Sequence, residues 1–387
     1  MIVQQEVSRR FADGAQKVEP ELCCPVDYDQ DLLAILPKEI IERDYGCGDP
    51  SRYVQPGDHV LDLGSGGGKI CYMAAQLVGQ GGRVTGVDMT DEMLALARSY
   101  QAEMAEKLGE DRVRFVKGRI QDLAQDVERL EDHLKANPVQ DLASMEAFDR
   151  WQQQQRHEQP MIADGSIDLV VSNCVLNLVE DGSKQQMVEE IYRVLRPGGR
   201  VAISDIVSDA PIPQSLKDNP ELWSGCISGA FEEEAFAEAF REAGFVGVTL
   251  DKWDEKPWQV VEGIEFRSVT LLAYKPALFD PTDQGHAVIY RGPFLHVTDE
   301  RGNIYPAGER IAVSSDTFDL LGREPYAAHF IRIPPGQPVF PQPFTLEPGT
   351  RRPVEVSRGS GQKSAPGKPL LSIQPAGGSC TPGGSCC

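Results

Sequence analysis

The 387-residue chain carries 59 acidic side chains against 38 basic ones, a formal charge of −21. That balance repels phosphate backbones, and no basic stripe overrides it, so nucleic acid is not an expected partner. An apolar fraction of 41% can fill a sizeable core, and the length allows roughly two to four folded units. No apolar run approaches the roughly 20 residues that span a bilayer, and the amino terminus has no secretory apolar core. The expectation is a soluble, cytoplasmic protein with no membrane partner.

Residues 1 to 55 read as an irregular leader that carries Cys23 and Cys24 in ELCCPVDYD and Cys47 in ERDYGCGDPSRY. From 56 to 210 the pattern alternates. HVLDLGSG is a strand and KICYMAAQLV a helix closed by GQGG; RVTGVDM is a strand and DEMLALARSYQAEMAEKLG a helix. DRVRFVKGRI and SIDLVVSNCV are the third and fourth strands, KQQMVEEIYRVL is a helix stopped by RPGG, and RVAISDIV is the fifth strand. Such alternation predicts βαβ units, hence an α/β, Rossmann-like parallel sheet with helices on both faces. Residues 124–163 interrupt it as an insertion. Leu123, Val127, Leu130 and Leu134 fall there at helical spacing, followed by FDRWQQQQRHEQ as a second helix or a mobile connection. Residues 211–277 hold ELWSGCISGAF, a helix and two strand-like runs that complete the sheet. A β-rich segment follows over 278–340, and a Pro-, Gly- and Ser-rich flexible tail over 341–387.

The run VLDLGSGGGK places Gly64, Gly66 and Gly68 between a strand and a helix. Glycines there let a backbone approach a ligand and expose amides at the helix start. Position 69 is Lys where a dinucleotide site wants glycine, which argues against NAD. Asp88 ends the second strand, 22 residues beyond Gly66, where a carboxylate can accept both hydroxyls of a ribose. The loop, Asp88 and the strand order together resemble class I S-adenosylmethionine-dependent methyltransferases. That resemblance implies a cofactor site of Asp62, Gly64, Ser65, Gly66, Asp88 and Asn173, with Met89 packed on adenine and Ile120 and Gln121 at its far edge.

A methyl acceptor with an acidic proton needs a base, yet none of the six histidines lies at the end of strand four or five. Cys174 does, ending strand four; Cys226 follows strand five on a small-residue segment, and Cys47 sits between two glycines in the leader. Thiolates select soft centres, and trivalent arsenic is one that carries a lone pair and no proton. YGCG, DLGSG, VVSNCVLNLV, VLRPGG and LWSGCISGA resemble the successive signatures of the arsenite S-adenosylmethionine methyltransferases over roughly residues 40–275. GHAVIYRGPF and ERIAVSSDTFDLL resemble that family's small C-terminal domain.

The resemblance implies that Cys47, Cys174 and Cys226 bind arsenic, and that 211–277 is an arsenic-binding subdomain completing the sheet. It also implies that Cys23 or Cys24 pairs with Cys47 during turnover. The tail CTPGGSCC is similar to thiol-rich tails that capture arsenic, while Cys71 reads as packing. A thiol reductant, glutathione or thioredoxin, is the implied partner of a monomer serving arsenic detoxification or organoarsenical biosynthesis. Two rival readings remain: a methyltransferase for an oxygen, nitrogen or carbon acceptor with structural cysteines, and a non-enzymatic thiol-based arsenic or metal binder.

Overall fold

The computed structural model describes residues 2–19, 26–277 and 281–357. The chain divides into two compact units, residues 1–279 and 280–387. In the first unit the leader is not irregular. It forms helices α1 (Ile2–Gln16), α2 (Gln30–Leu33) and α3 (Lys38–Glu42). Asp29 caps α2 through its carboxylate, a short signal lost among the surrounding loops.

The five expected strands are β1 (His59–Leu63), β2 (Arg83–Asp88), β3 (Val113–Lys117), β4 (Ile167–Asn173) and β5 (Leu195–Ser208). Between them lie α4 (Lys69–Val78), α5 (Asp91–Ser99), α6 (Gln101–Leu108), α7 (Val127–Ala136), α8 (Leu142–Glu158) and α9 (Asp181–Val194). The long helix expected from 91 breaks at Tyr100, giving α5 and α6. RPGG does not separate α9 from a later strand. It lies inside β5, where the pairing with β4 shifts register between Ile167 and Leu169. Both halves of the insertion are helical. Asp126 caps α7, and Asp141 and Ser144 form a capping box on α8. Neither helix carries a buried residue, and they meet through the His133 and Trp151 rings, stacked at 3.7 Å.

Beyond β5 come α10 (Gln214–Lys217), α11 (Pro220–Ser224), β6 (Phe231–Glu232), α12 (Glu233–Glu242), β7 (Val246–Trp253), β8 (Gln259–Val261) and β9 (Ile264–Tyr274). The sheet order is β3-β2-β1-β4-β5-β9-β7, with β6 on β5 and β8 on β9. β1 to β5 run parallel and β9 is antiparallel to β5. Alternate residues feed two cores. Leu61, Leu63 and Val170 pack with Met187 and Ile191 of α9 and Phe236 and Phe240 of α12, while Val60, Leu169 and Val171 pack with Ile70, Tyr72 and Met73 of α4 and Leu94 of α5. Burial on both faces explains the near-continuous apolar strands.

The second unit has β10 (Thr282–Asp283), β11 (Ala287–Tyr290), β12 (His296–Thr298), β13 (Ile304–Pro306), β14 (Arg310–Ala312), α13 (Ser315–Leu320), β15 (Phe330–Ile333) and β16 (Gln342–Pro343). Its core is Val288, Tyr290, Tyr305, Phe318, Leu321 and Phe330. Residues 341–357, expected to belong to a flexible tail, are instead packed on this unit. β16 pairs with β10, and Arg352 holds Asp283 through two hydrogen bonds of 3.0 and 2.7 Å.

Candidate active site

The strand order reverses between β1 and β4, and ligands bind outside the carboxyl ends of strands at such a point. A cleft opens there. It is lined by Asp62, Gly64, Ser65, Gly66, Asp88, Met89, Ile120, Gln121, Asn173 and Cys174, so all nine residues expected to hold the cofactor share one wall. Gly64 has φ +69°, and a side chain there would run into Val175. Its amide and that of Ser65 donate to the Val87 carbonyl at 2.8 and 3.0 Å, tying the loop to the end of β2.

Asp88 fixes the same loop by accepting from the Gly66 amide at 2.9 Å and the Thr90 amide at 2.8 Å. The same side chain lines the cleft, where a carboxylate is an acceptor for ligand hydroxyls. Burial raises the Asp88 pKa from its ordinary value, and hydrogen bonds from Thr90 and Gly66 oppose the rise. Below, burial lifts Asp62 to about 7, and its carboxylate accepts from the Cys71 thiol at 3.2 Å. Cys71 is therefore a core residue under the loop, its thiol pushed well above the usual range by burial. The Ser65 hydroxyl is buried with no hydrogen-bond partner among the described residues. An orphaned hydroxyl on the cleft wall fits a polar ligand such as S-adenosylmethionine. The leader adds wall residues that the sequence reading did not name, among them Val7 and Phe11 of α1 and Asp44 and Tyr45.

The three cysteines from distant segments meet beside this cleft. Cys47, Cys174 and Cys226 are 1%, 6% and 7% exposed and pack with Ile206, Ile227 and Phe266. Cys47 and Cys174 are joined by a disulfide with Cα atoms 5.8 Å apart, and the Cys226 thiol donates to the Cys174 carbonyl at 3.4 Å. The partner expected for Cys47 was Cys23 or Cys24; here it is Cys174. Cys23, Cys24 and the cysteines of the tail lie outside the described residues.

A side-chain clamp from Asn173 brings Cys47 to this place. The Asn173 carbonyl oxygen accepts from the amides of Cys47 at 2.9 Å and Gly48 at 3.0 Å, and its amide nitrogen donates to the Gly48 carbonyl at 2.8 Å. Ser268 on β9 donates to the Cys47 carbonyl at 2.7 Å. A Cβ on Gly46 would strike Asn173, and one on Gly48 would strike Ser204, so the flanking glycines supply space. Asn173 lines the cleft, yet its hydrogen bonds serve the Cys47 loop and the Tyr28 hydroxyl, to which it donates at 3.2 Å.

Two features were invisible in the sequence. Cys174 and Cys226 have φ of +60° and +62°; Glu262 is the third such non-glycine residue among those described. Cys226 follows α11, with its amide on the Trp223 carbonyl at 3.1 Å and the Ile227 amide on that of Leu222 at 2.9 Å. That is a Schellman closure with cysteine where glycine is usual. The second feature is Asp205, 1% exposed within the last four residues of β5, where burial lifts its carboxyl to about 7. A ligand atom on each of Cys47, Cys174 and Asp205 lies within 4.8 Å of the others. Only the pairing of β4 with β5, with Asn173 opposite Ser204, reveals that Asp205 faces Cys174.

A family model described as a methyltransferase domain matches residues 55–244, and one described as a domain of unknown function matches 279–362. Sheet order, glycine loop and cleft define an S-adenosylmethionine-dependent methyltransferase. The arsenite methyltransferase of Aquipseudomonas alcaligenes is 33% identical over 319 residues, covering 77% of this chain and 80% of that protein. That of Mus musculus is 30% identical, covering 79% and 75%. The crystal structure of an arsenic(III) S-adenosylmethionine methyltransferase from Chlamydomonas reinhardtii superposes with a TM-score of 0.54 at 29% identity, over 84% of this chain and 99% of that one. The chain belongs to the arsenite methyltransferase family.

Proposed function

We propose that this protein methylates trivalent arsenic held by Cys47, Cys174 and Cys226. The observation that carries this reading is the convergence of three buried cysteine sulfurs from three segments beside the cofactor cleft, with Cys174 belonging to both. Three thiols exchange for the three hydroxyls of arsenite, releasing three waters and leaving the arsenic lone pair opposite the sulfurs. S-adenosylmethionine would supply an electrophilic methyl on a sulfonium, which that lone pair could take without a proton having to leave: the sulfonium–methyl bond breaks, S-adenosylhomocysteine departs neutral with that bond's electron pair, and the positive charge passes to arsenic. The described residues lining the cleft include no histidine, in keeping with an acceptor that needs no base. The Gly64–Gly66 loop, Ser65 and Asp88 would hold the cofactor, so the protein's work is orientation and exclusion of water.

The disulfide between Cys47 and Cys174 removes two of the three sulfurs from arsenic chemistry. Restoring both thiols takes two electrons and two protons, supplied by a thiol reductant such as glutathione or thioredoxin that leaves as its own disulfide. A reducing compartment, the cytoplasm, suits this requirement. Among the described residues no helix is long and apolar enough to cross a membrane. Purified protein given labelled S-adenosylmethionine should form methylated arsenic only when arsenite and a reductant are both present. Methyl transfer to an organic acceptor, indifferent to arsenite, would overturn the reading.

A further inference from the structure

We infer that Asp205 is a positioning residue for arsenic capture, one that aims the Cys174 sulfur at its two partners; this rests on the arsenic-binding reading above. Asp205 has a carboxylate oxygen within 4.8 Å of the Cys47 and Cys174 sulfurs, on the strand beside Cys174 and not on any cysteine-bearing segment. One oxygen accepts from the Leu176 amide at 2.9 Å and the other from the Ile206 amide at 2.8 Å. The carboxylate thus bridges β5 to the turn directly after Cys174. That turn is where the chain takes φ +60° at Cys174, a conformation that an L residue keeps only when its surroundings hold it.

Other hydrogen bonds give the same turn a fixed base. The Cys174 amide donates to the Ser204 carbonyl at 2.8 Å, and Asn177 donates to the Ile206 carbonyl at 2.6 Å. Asn177 also accepts from the Phe231 amide at 3.3 Å, and Trp223 donates to the Leu178 carbonyl at 3.3 Å, so the turn docks on both sides of Cys226. Without the carboxylate, the Leu176 amide would be buried with no acceptor, and the backbone at Cys174 could relax toward a right-handed conformation. Such relaxation would swing the Cys174 sulfur away from Cys47 and move the carbonyl that Cys226 meets. The cofactor loop, built on β1 and β2, would keep its shape.

Asp205→Ala and the same-sized Asp205→Asn, both fully reduced and checked for folding by circular dichroism, test this. Arsenite affinity should fall at least tenfold in Asp205→Ala and by less in Asp205→Asn, which keeps one acceptor. S-adenosylmethionine affinity should stay within twofold of wild type. X-ray absorption at the arsenic edge should count three sulfurs in wild type and two in Asp205→Ala. A merely structural loss would not change that count. Three sulfurs and unchanged affinity in a folded Asp205 variant would overturn the inference. Failure of the reduced wild type to bind arsenite would instead overturn the arsenic-binding reading.

Discussion

Replacing Cys226 by glycine and by alanine should separate what its backbone costs from what its sulfur does. Both replacements delete the thiol, so the lost contacts in the cysteine cluster are common to the pair. They differ at φ +62°, where a Cβ costs roughly 1–2 kcal/mol. Glycine avoids that cost but gains freedom in the unfolded chain, which returns about 0.4–1 kcal/mol. The net expectation is that Cys226→Gly is more stable than Cys226→Ala by about 1 kcal/mol. Urea unfolding under excess reductant, followed by circular dichroism, reads this as a midpoint shift of a few tenths of a molar unit at unchanged slope. Both variants should fail to methylate arsenite. An alanine variant as stable as the glycine variant would show that the left-handed backbone at Cys226 stores no strain, and would refute the reasoning.

Asp88→Ala should weaken S-adenosylmethionine binding by about 1–3 kcal/mol, because a ribose would lose its acceptor and Gly66 its anchor; calorimetry checks this. Asn173→Ala leaves the buried amides of Cys47 and Gly48 without their acceptor, and should cost about 2–4 kcal/mol in unfolding free energy and lower arsenite affinity more than cofactor affinity. Burial raises the Asp62 carboxyl from 3.8 to about 7, so the folded state binds its proton more tightly than the unfolded state. Its contribution to stability therefore declines as pH rises from about 4 to about 7 and levels off above. Asp62→Asn should flatten part of that decline, on the order of a few kcal/mol at most, as unfolding midpoints measured between pH 5 and 8 would reveal.

The sheet was legible because its strands are short apolar runs buried on both faces and punctuated by glycine, as in HVLDL running into Gly64. The cofactor loop was legible because it is contiguous in sequence, and Asp88 because a fixed strand and helix length separates it from that loop. The leader was not, since α1 is held by distant partners: Arg10 reaches the Glu221 carbonyl at 3.2 Å and Ser224 at 3.1 Å. Nor could spacing rank Asp205 above other acids. Its position follows from the β4–β5 register, and the pairing of Cys47 with Cys174 from a clamp at Asn173 that joins residues 126 positions apart. Asn173 itself was assigned to the cofactor wall, but its polar atoms are spent on that clamp.

The central claim is that three protein sulfurs present trivalent arsenic to the cofactor. Chromatographic speciation of arsenic from reduced enzyme, arsenite and labelled S-adenosylmethionine tests it directly, with wild type set beside folded Cys174→Ser and Cys226→Ser. The account predicts labelled methylarsenic from wild type and none from either variant. Wild-type yields from a folded Cys174→Ser variant would contradict it.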